Sequence, residues 1–301
     1  MTETRKKNLE ASIHARLLNI SRETGENFNA LLNRFFQERF LARLSTSDFK
    51  EVFILKGGLL LAAESITRFR PTIDIDVLAV NIKNDVEIVK PKIVMIAQIS
   101  MPDCVIFNTD DITFEVLKED DEYEGIRFKF SASLGKIKSR IQIDIGFGDD
   151  VPMGFTEKVF PVYLNDLDPP VLLTYPLESV IAEKFQAIVY LGVVNSRMKD
   201  FYDILFLAEN NAFSMLMLNT AIAATFDKRK TDIGKRHFVY EDKYINLKAS
   251  LWNAYLRKIE STDVISFQEV VRKMESFLEP VISRSKTDLV WFPQRWDWDA
   301  K

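Results

Sequence analysis

Residues 72–80 read TIDIDVLAV, a stretch that leaves the backbone few choices. Ile73, Ile75 and Val77 alternate with Thr72, Asp74 and Asp76. A period of two marks a β-strand with one apolar and one polar face. The two aspartates therefore share a face, with Cα atoms about 6–7 Å apart. Carboxylates that close repel each other, and burying them unpaired is costly. Two readings follow: a solvated sheet face, the ordinary fate of an isolated Asp-x-Asp, or a pair that holds a divalent cation.

The segment SRIQIDIGFGD repeats the pattern, with Ile141, Ile143 and Ile145 alternating against Gln142 and Asp144. If its strand lies beside the first, Asp144 supplies a third carboxylate. Three carboxylates from two adjacent strands can hold two magnesium ions for phosphoryl transfer. The rest of the composition narrows the choice of metal. Cys104 is the single cysteine, which excludes an intramolecular disulfide and a cysteine-rich zinc site. The two histidines, His14 and His237, stand in different regions, which argues against a His-based metal centre or a Ser/His/Asp triad. Carboxylate ligands favour magnesium or manganese.

Upstream lies LKGGLLL, residues 55–61, a glycine pair inside an apolar run. Gly-Gly weakens any helix or strand that it interrupts. At a strand-to-helix junction it lets backbone N–H groups approach a phosphate, and the helix N-terminus adds partial positive charge. The plainer alternative is a tight turn or close packing. Lys56 directly precedes the pair, and its charge can face a triphosphate or neutralise the carboxylates.

The chain has 301 residues, 47% hydrophobic and 28% charged, the balance of a soluble globular protein with a sizeable core. Its 23 phenylalanines fall mostly in periodic segments and read as core. With a net charge of −4, polyanion binding requires a local basic patch. The start MTETRKKNLE lacks the apolar region of a signal peptide, and no apolar run reaches the roughly 18 residues that span a bilayer. A cytoplasmic protein is the default expectation.

Helical periodicity runs from Asn27, a candidate cap, through Phe28, Leu31, Leu32, Phe35, Phe36, Phe40 and Leu44, and STSD breaks it. EVFILKGG reads as a short buried strand or the start of a helix, and the leucines after it as a helix. Residues 84–99 look helical, with Pro91 ending or kinking the helix. DITFEVLKE, GIRFKFSAS and SRIQIDIGFGD read as strands spaced for hairpins, so the sheet is expected to be mixed. A proline-rich joint, DLDPPVLLTYP, precedes five helical segments. No repeat or low-complexity tract interrupts the chain. The expected class is α+β: a helical arm and mixed-sheet core over 1–165, then a helical C-terminal domain over 166–301.

Taken in order, FILKGGLLL, RFRPTIDIDVLA, IQIDIGFGD, YPLESVIAEKFQAIV, RMKDFYDIL and ATFDKRKTDI resemble the AbiEii toxin family. That family is the toxin half of AbiE abortive-infection systems, with MenT toxins as relatives, in the DNA polymerase β-like nucleotidyltransferase superfamily. The likeness runs from about 50 to 235. It implies a nucleotidyltransferase core with Gly57 and Gly58 at the nucleotide phosphates, flanked by Lys56 and Thr72. It assigns Asp74, Asp76 and Asp144 to the metals, with Asp144 helping to activate the attacking hydroxyl. It assigns Lys184 to the nucleotide phosphates and an essential aspartate to Asp200 or Asp203, with Asp200 preferred. It further implies an NTP substrate, Mg²⁺ or Mn²⁺, an acceptor such as the tRNA 3′ end, and a cognate antitoxin of a type IV system. Two departures separate the chain from other superfamily branches: 15 residues between Gly58 and Asp74, and a glycine where Gly-Ser is commoner.

Read physically, Lys184 sits on an amphipathic helix beside Ile181, Phe185 and Ile188, as a phosphate ligand or a surface lysine. Arg197 with Asp200 and Lys199 with Asp203 have the spacing of surface ion pairs, each contributing about 0.3–0.5 kcal/mol. The dense basic run contains Lys228, Arg229, Lys230, Lys235 and Arg236, a solvated loop or an RNA contact. The tail with Trp291, Trp296 and Trp298 reads as a docked strap, with base stacking as the alternative. Two other functions fit part of the pattern. A nucleotidyltransferase acting on a small molecule such as an antibiotic would share the metal site. A non-catalytic NTP-binding regulator would not need the intact set Asp74, Asp76, Asp144 and Lys184.

Overall fold

The computed structural model describes residues 3–64, 72–119, 123–148, 151–261, 265–283 and 288–300. Residues 65–71, including the RFRP part of the RFRPTIDIDVLA motif, and residue 149 lie outside them. The chain divides into two contact-dense units, residues 1–149 with 155–174, and residues 150–154 with 175–301.

The first unit opens with helices α1 (Glu3–Thr24) and α2 (Phe28–Thr46). Asn27 caps α2 as expected, its side-chain oxygen accepting from the backbone N–H groups of Asn29 and Ala30. The helix is buried all round from Phe35 to Leu44, charged residues included, because α1, α4, β5 and β7 pack around it. Arg43 is held by a bidentate pair with Asp103 at 2.8 and 3.1 Å and by the carbonyls of Arg39 and Val105. It also lies 4.9 Å over the Phe107 ring.

Strand β1 (Phe53–Lys56) runs straight into helix α3 (Gly57–Glu64), and β2 (Asp74–Ala79) returns antiparallel beside β1. Helix α4 (Val86–Ala97) continues through Pro91 rather than ending there. Pro91 stands in the second turn, so it costs the helix one intrahelical hydrogen bond while the later turns keep theirs. Strands β3 (Val105–Glu119), β4 (Tyr123–Leu134) and β5 (Ile137–Phe147) form a meander, and β6 (Thr156–Val159) and β7 (Val171–Thr174) close the far edge. The order is β3-β4-β5-β2-β1-β7-β6. The β2–β5 and β1–β7 pairs are parallel and the rest antiparallel, so the sheet is mixed as expected. Ile75, Val77, Ile126, Phe128, Phe130, Ile141, Ile143 and Ile145 form the buried face of its centre. The alternate residues, among them Arg127, Lys129, Gln142 and Asp144, are half-buried on the other face.

The second unit holds helices α5 (Leu177–Leu191), α6 (Met198–Asn210), α7 (Met215–Lys228), α8 (Asp242–Lys258) and α9 (Phe267–Ser283). A C-terminal hairpin, β8 (Leu289–Phe292) and β9 (Asp297–Ala300), docks on it. Trp291 is fully buried and donates to the Ala208 carbonyl at 2.7 Å, while Trp298 donates to the Phe277 carbonyl at 2.9 Å. Trp296 donates to the Ser276 hydroxyl. The tail is thus a docked strap, and burial withholds Trp291 and Trp298 from base stacking. No helix among the described residues is long and apolar enough to cross a membrane.

Glu38 on α2 shows what the crowding costs. Its Oε2 accepts from the Tyr163 backbone N–H at 2.9 Å, and Arg39 lies 3.3 Å away. Burial outweighs these partners and pushes the carboxyl from 4.5 up to about 7. A raised carboxyl favours the protonated folded state, so this contribution is complete below the ordinary value and is lost as pH rises through about 7. Glu38→Gln keeps the shape without the titration. Its melting temperature relative to the parent should rise steadily between about pH 5 and pH 8. A pH-independent difference in calorimetry would contradict the assignment.

Candidate active site

The β2–β5 pairing is parallel and places Asp76 opposite Asp144 and Asp74 opposite Gln142. All three aspartates point to the half-buried face, and one carboxylate oxygen from each lies within 4.8 Å of the others. The structure therefore brings together the trio expected from the alternation. Its donors are hard oxygens only, a set that suits magnesium or manganese. The residues present fit a divalent cation.

The glycine pair has a steric reason that the sequence alone left open. Gly57 has φ +67°, and a Cβ there would fall 1.9 Å from Asp76 Oδ2 and 2.4 Å from its Cγ. No side chain fits, and the backbone conformation itself favours glycine. Gly57 is the close-packing residue that lets the Asp76 carboxylate lie against the start of α3. Gly58 follows, buried in the first turn of α3. That turn offers backbone N–H groups without intrahelical partners, at the positive end of the helix dipole.

The flanks of the trio are polar and cationic. Lys56 pairs in register with Asp76, and its ammonium reaches toward β5, where a Cβ on Gly146 would lie 3.2 Å from it. The Thr72 hydroxyl donates to Asp74 Oδ1 at 2.8 Å. Gln142 donates to Asp144 Oδ2 at 3.2 Å. Arg127 on β4 grips Asp144 with both arms, Nε to Oδ1 at 2.8 Å and Nη2 to Oδ2 at 2.6 Å. Those bonds raise the guanidinium's already high pKa against the opposing effect of burial, with the charges of Asp144, Asp74 and Glu115 adding to them.

Sequence reasoning missed Arg127 and gave Gln142 no role. A signal for Arg127 existed. Leu134 and Ile137 flank a two-residue turn, Gly135-Lys136, with glycine at the first central position as a tight hairpin prefers. Counting back seven residues on each strand from that turn pairs Arg127 with Asp144. Arg127 was read only as part of a strand, because the register depends on the turn.

The second unit contains the other candidates. Lys184 on α5 meets Asp200 Oδ1 at 3.1 Å and Asp203 Oδ2 at 2.6 Å, both from α6. Arg197 reaches the other Asp200 oxygen at 2.8 Å. Both aspartates are 0% exposed, and the Lys184 side chain is 12% exposed. The pairing of Arg197 with Asp200 follows the expected spacing, but Asp203 is no surface partner for Lys199. It points inward to Lys184 while Lys199 remains exposed, because the buried face of α6 includes positions 200, 203 and 204.

Of the basic run, Arg229 hydrogen-bonds Gln186 at 3.0 Å and stands 3.7 Å from Glu183, and Arg236 forms a two-point pair with Glu279 at 2.7 and 2.9 Å. Lys228, Lys230 and Lys235 are exposed.

Residues 39–273 match the family described as the nucleotidyl transferase AbiEii toxin, type IV toxin–antitoxin system. No curated protein matches the chain. The crystal structure of JHP933 from Helicobacter pylori is similar, with TM-score 0.48 and 12% identity, over 85% of this chain and 93% of that one. A second H. pylori structure, of a candidate nucleotidyltransferase, has TM-score 0.46 and 12% identity, over 84% and 94%.

Two substitutions test the geometry. Gly57→Ala must displace Asp76 or the turn, at a cost of about 1–3 kcal/mol. It should lower the melting temperature and weaken Mn²⁺ binding in calorimetric titration, whereas Gly154→Ala, at an open glycine, should leave Mn²⁺ binding unchanged. Lys184→Met leaves two buried aspartates with one cation fewer. Urea unfolding should show a loss of about 3–5 kcal/mol, and a loss below about 1 kcal/mol would mean that the cluster is solvated.

Proposed function

The chain belongs to the AbiEii nucleotidyl transferase toxin family of type IV toxin–antitoxin systems, and from that premise we propose that it transfers a nucleotidyl group from an NTP to an acceptor hydroxyl, the 3′ end of an RNA such as tRNA, until a cognate antitoxin neutralises its effect. The observation that carries the chemistry is the trio Asp74, Asp76 and Asp144, whose oxygens lie within 4.8 Å of one another beside the start of α3. In the transfer, the acceptor oxygen attacks the α-phosphorus. The bond from that phosphorus to the bridging oxygen breaks, and pyrophosphate leaves.

Asp74, Asp76 and Asp144 would hold two magnesium ions, which when bound neutralise the triphosphate and lower the pKa of the acceptor hydroxyl. The chain's own groups do the positioning. The N–H groups of the first turn of α3 face phosphate oxygens, where the helix dipole favours negative charge. The Thr72 hydroxyl orients the Asp74 carboxylate through their 2.8 Å bond. Asp144, the third carboxylate, assists the acceptor hydroxyl in giving up its proton. The family resemblance supports Lys184 as a contact for the nucleotide phosphates, with its ammonium oriented by Asp200 and Asp203. The exposed cations Lys228, Lys230 and Lys235 are candidates for phosphodiester contacts, which would make RNA binding weaken as salt rises.

The test is label transfer. Purified protein, Mg²⁺ and total tRNA are incubated in turn with each α-³²P-labelled NTP. Labelled RNA should appear with the parent and fall at least about 100-fold with Asp76→Ala, the scale expected on losing a preorganised electrostatic group. A parent that labels no RNA and cannot be told from Asp76→Ala would overturn the reading for that acceptor.

A further inference from the structure

The strongest unassigned feature is the hold of Arg127 on Asp144. Both carboxylate oxygens are engaged by the guanidinium, at 2.8 and 2.6 Å, and Gln142 takes a further position on Oδ2 at 3.2 Å. A carboxylate offers about four lone-pair sites, so three are in use before any cation arrives. A carboxylate already engaged by three protein donors is thus the one that must complete the metal set.

Arginine makes this occupation consequential. A guanidinium does not lose its proton in a protein, so its charge stays in place and repels an incoming cation. A lysine could escape by deprotonating; Arg127 can only move. Its position in the backbone is set by the β4–β5 register, but its side chain is 28% exposed and has a solvent side into which to swing. Asp144 is less exposed, at 13%, and sits in the middle strand of the β4-β5-β2 trio of strands. The movable partner is therefore the arginine. The charge balance points the same way. Three carboxylates with Arg127 and Lys56 retained carry about one net negative charge, so a divalent ion already leaves a positive excess that an anion relieves. A triphosphate is such an anion, and guanidinium binds phosphate oxygens through the same two-point fork that it uses on Asp144.

We propose that Arg127 is a resident counter-ion that holds Asp144 in the metal-free protein and passes to the phosphates of the incoming nucleotide, so that divalent-cation binding and nucleotide binding are coupled through this one side chain. The inference rests on the trio acting as the cation site. It assigns Arg127 a positioning role toward Asp144 and a contact with the substrate's phosphates. The protein then binds the cation weakly alone and strongly with nucleotide, which limits idle loading of the site.

The experiment is calorimetric titration of the full chain with Mn²⁺ alone, with a non-hydrolysable NTP analogue alone, and with Mn²⁺ in the presence of the analogue. Arg127→Met removes the charge at similar bulk. It should bind Mn²⁺ alone at least about tenfold more tightly than the parent, since a full charge at this range shifts an ionisation equilibrium by one to three decades. Its gain in Mn²⁺ affinity on adding the analogue should shrink toward none. Arg127→Lys keeps the charge without the fork and should restore part of the coupling. A purely structural role would lower the melting temperature of Arg127→Met without tightening Mn²⁺ binding. Unchanged or weaker Mn²⁺ affinity in Arg127→Met, or no Mn²⁺ binding by it at all, overturns the proposal. If Arg127→Met melts without cooperativity, Arg127→Lys is read instead: a smaller tightening is expected for Mn²⁺ alone, and an unchanged affinity overturns the proposal. Asp76→Ala separates the two layers. If it binds Mn²⁺ as the parent does, the carboxylate site itself fails. If it loses Mn²⁺ while the Arg127 variants match the parent, only the counter-ion role fails.

Discussion

Three negative charges held within 4.8 Å of one another set the terms for the first unit. At an effective dielectric of about 20, each like-charged pair at that separation repels by roughly 3 kcal/mol. Such a cluster persists only on a scaffold that cannot relax. The scaffold here is the centre of a seven-stranded sheet, with Asp74 and Asp76 on β2 and Asp144 on β5 next to it. Behind the cluster, Ile75, Ile143 and Ile145 are buried, and sliding either strand by one residue would exchange those isoleucines for the aspartates. The apolar core thus fixes the register, and the register fixes the repulsion.

Relief of that strain accounts for the neighbours of the trio. Gly57 gives up its side chain so that Asp76 can lie against the start of α3. Thr72, Gln142 and Arg127 each donate to a carboxylate oxygen. Gly146 leaves room for the Lys56 ammonium on the same face. The same economy recurs where charge is buried elsewhere. Arg43 and Asp103 form a two-point pair in the core of the first unit, and Lys184 answers Asp200 and Asp203 in the second. Buried pairs of this kind contribute little net stability, but removing one member strands the other. A structural cluster and a catalytic cluster therefore respond alike to crude deletion, and ligand binding distinguishes them better than loss of activity does.

Much of the fold was legible because the local rules agreed with the global one. The period of 3.6 located α2, α5 and α6, and the expected cap Asn27 proved to be the cap. The period of two located β2 and β5 and told which face carried the acids. Pro91 was expected to end or kink its helix, and the structure excludes the first outcome, since α4 runs on for six residues beyond it. Asp203 was read as a surface residue because its spacing from Lys199 satisfied the helix-surface rule. That rule does not know which face of a helix a neighbouring helix will cover.

By itself the sequence determined the elements, the alternation that sets Asp74 and Asp76 on one face, and the chemical kind of site that three carboxylates without histidine can form. Those are properties of periodicity and side-chain chemistry, and they travel with the local chain. Only the tertiary structure decided that Asp144 lies opposite Asp76, that Arg127 already occupies Asp144, and that Gly57 is excluded from bearing a side chain by Asp76. Each of these depends on strand order and register, which join residues far apart in the chain. The hydrophobic pattern of one strand specifies which face it buries, but not which strand it will bury it beside.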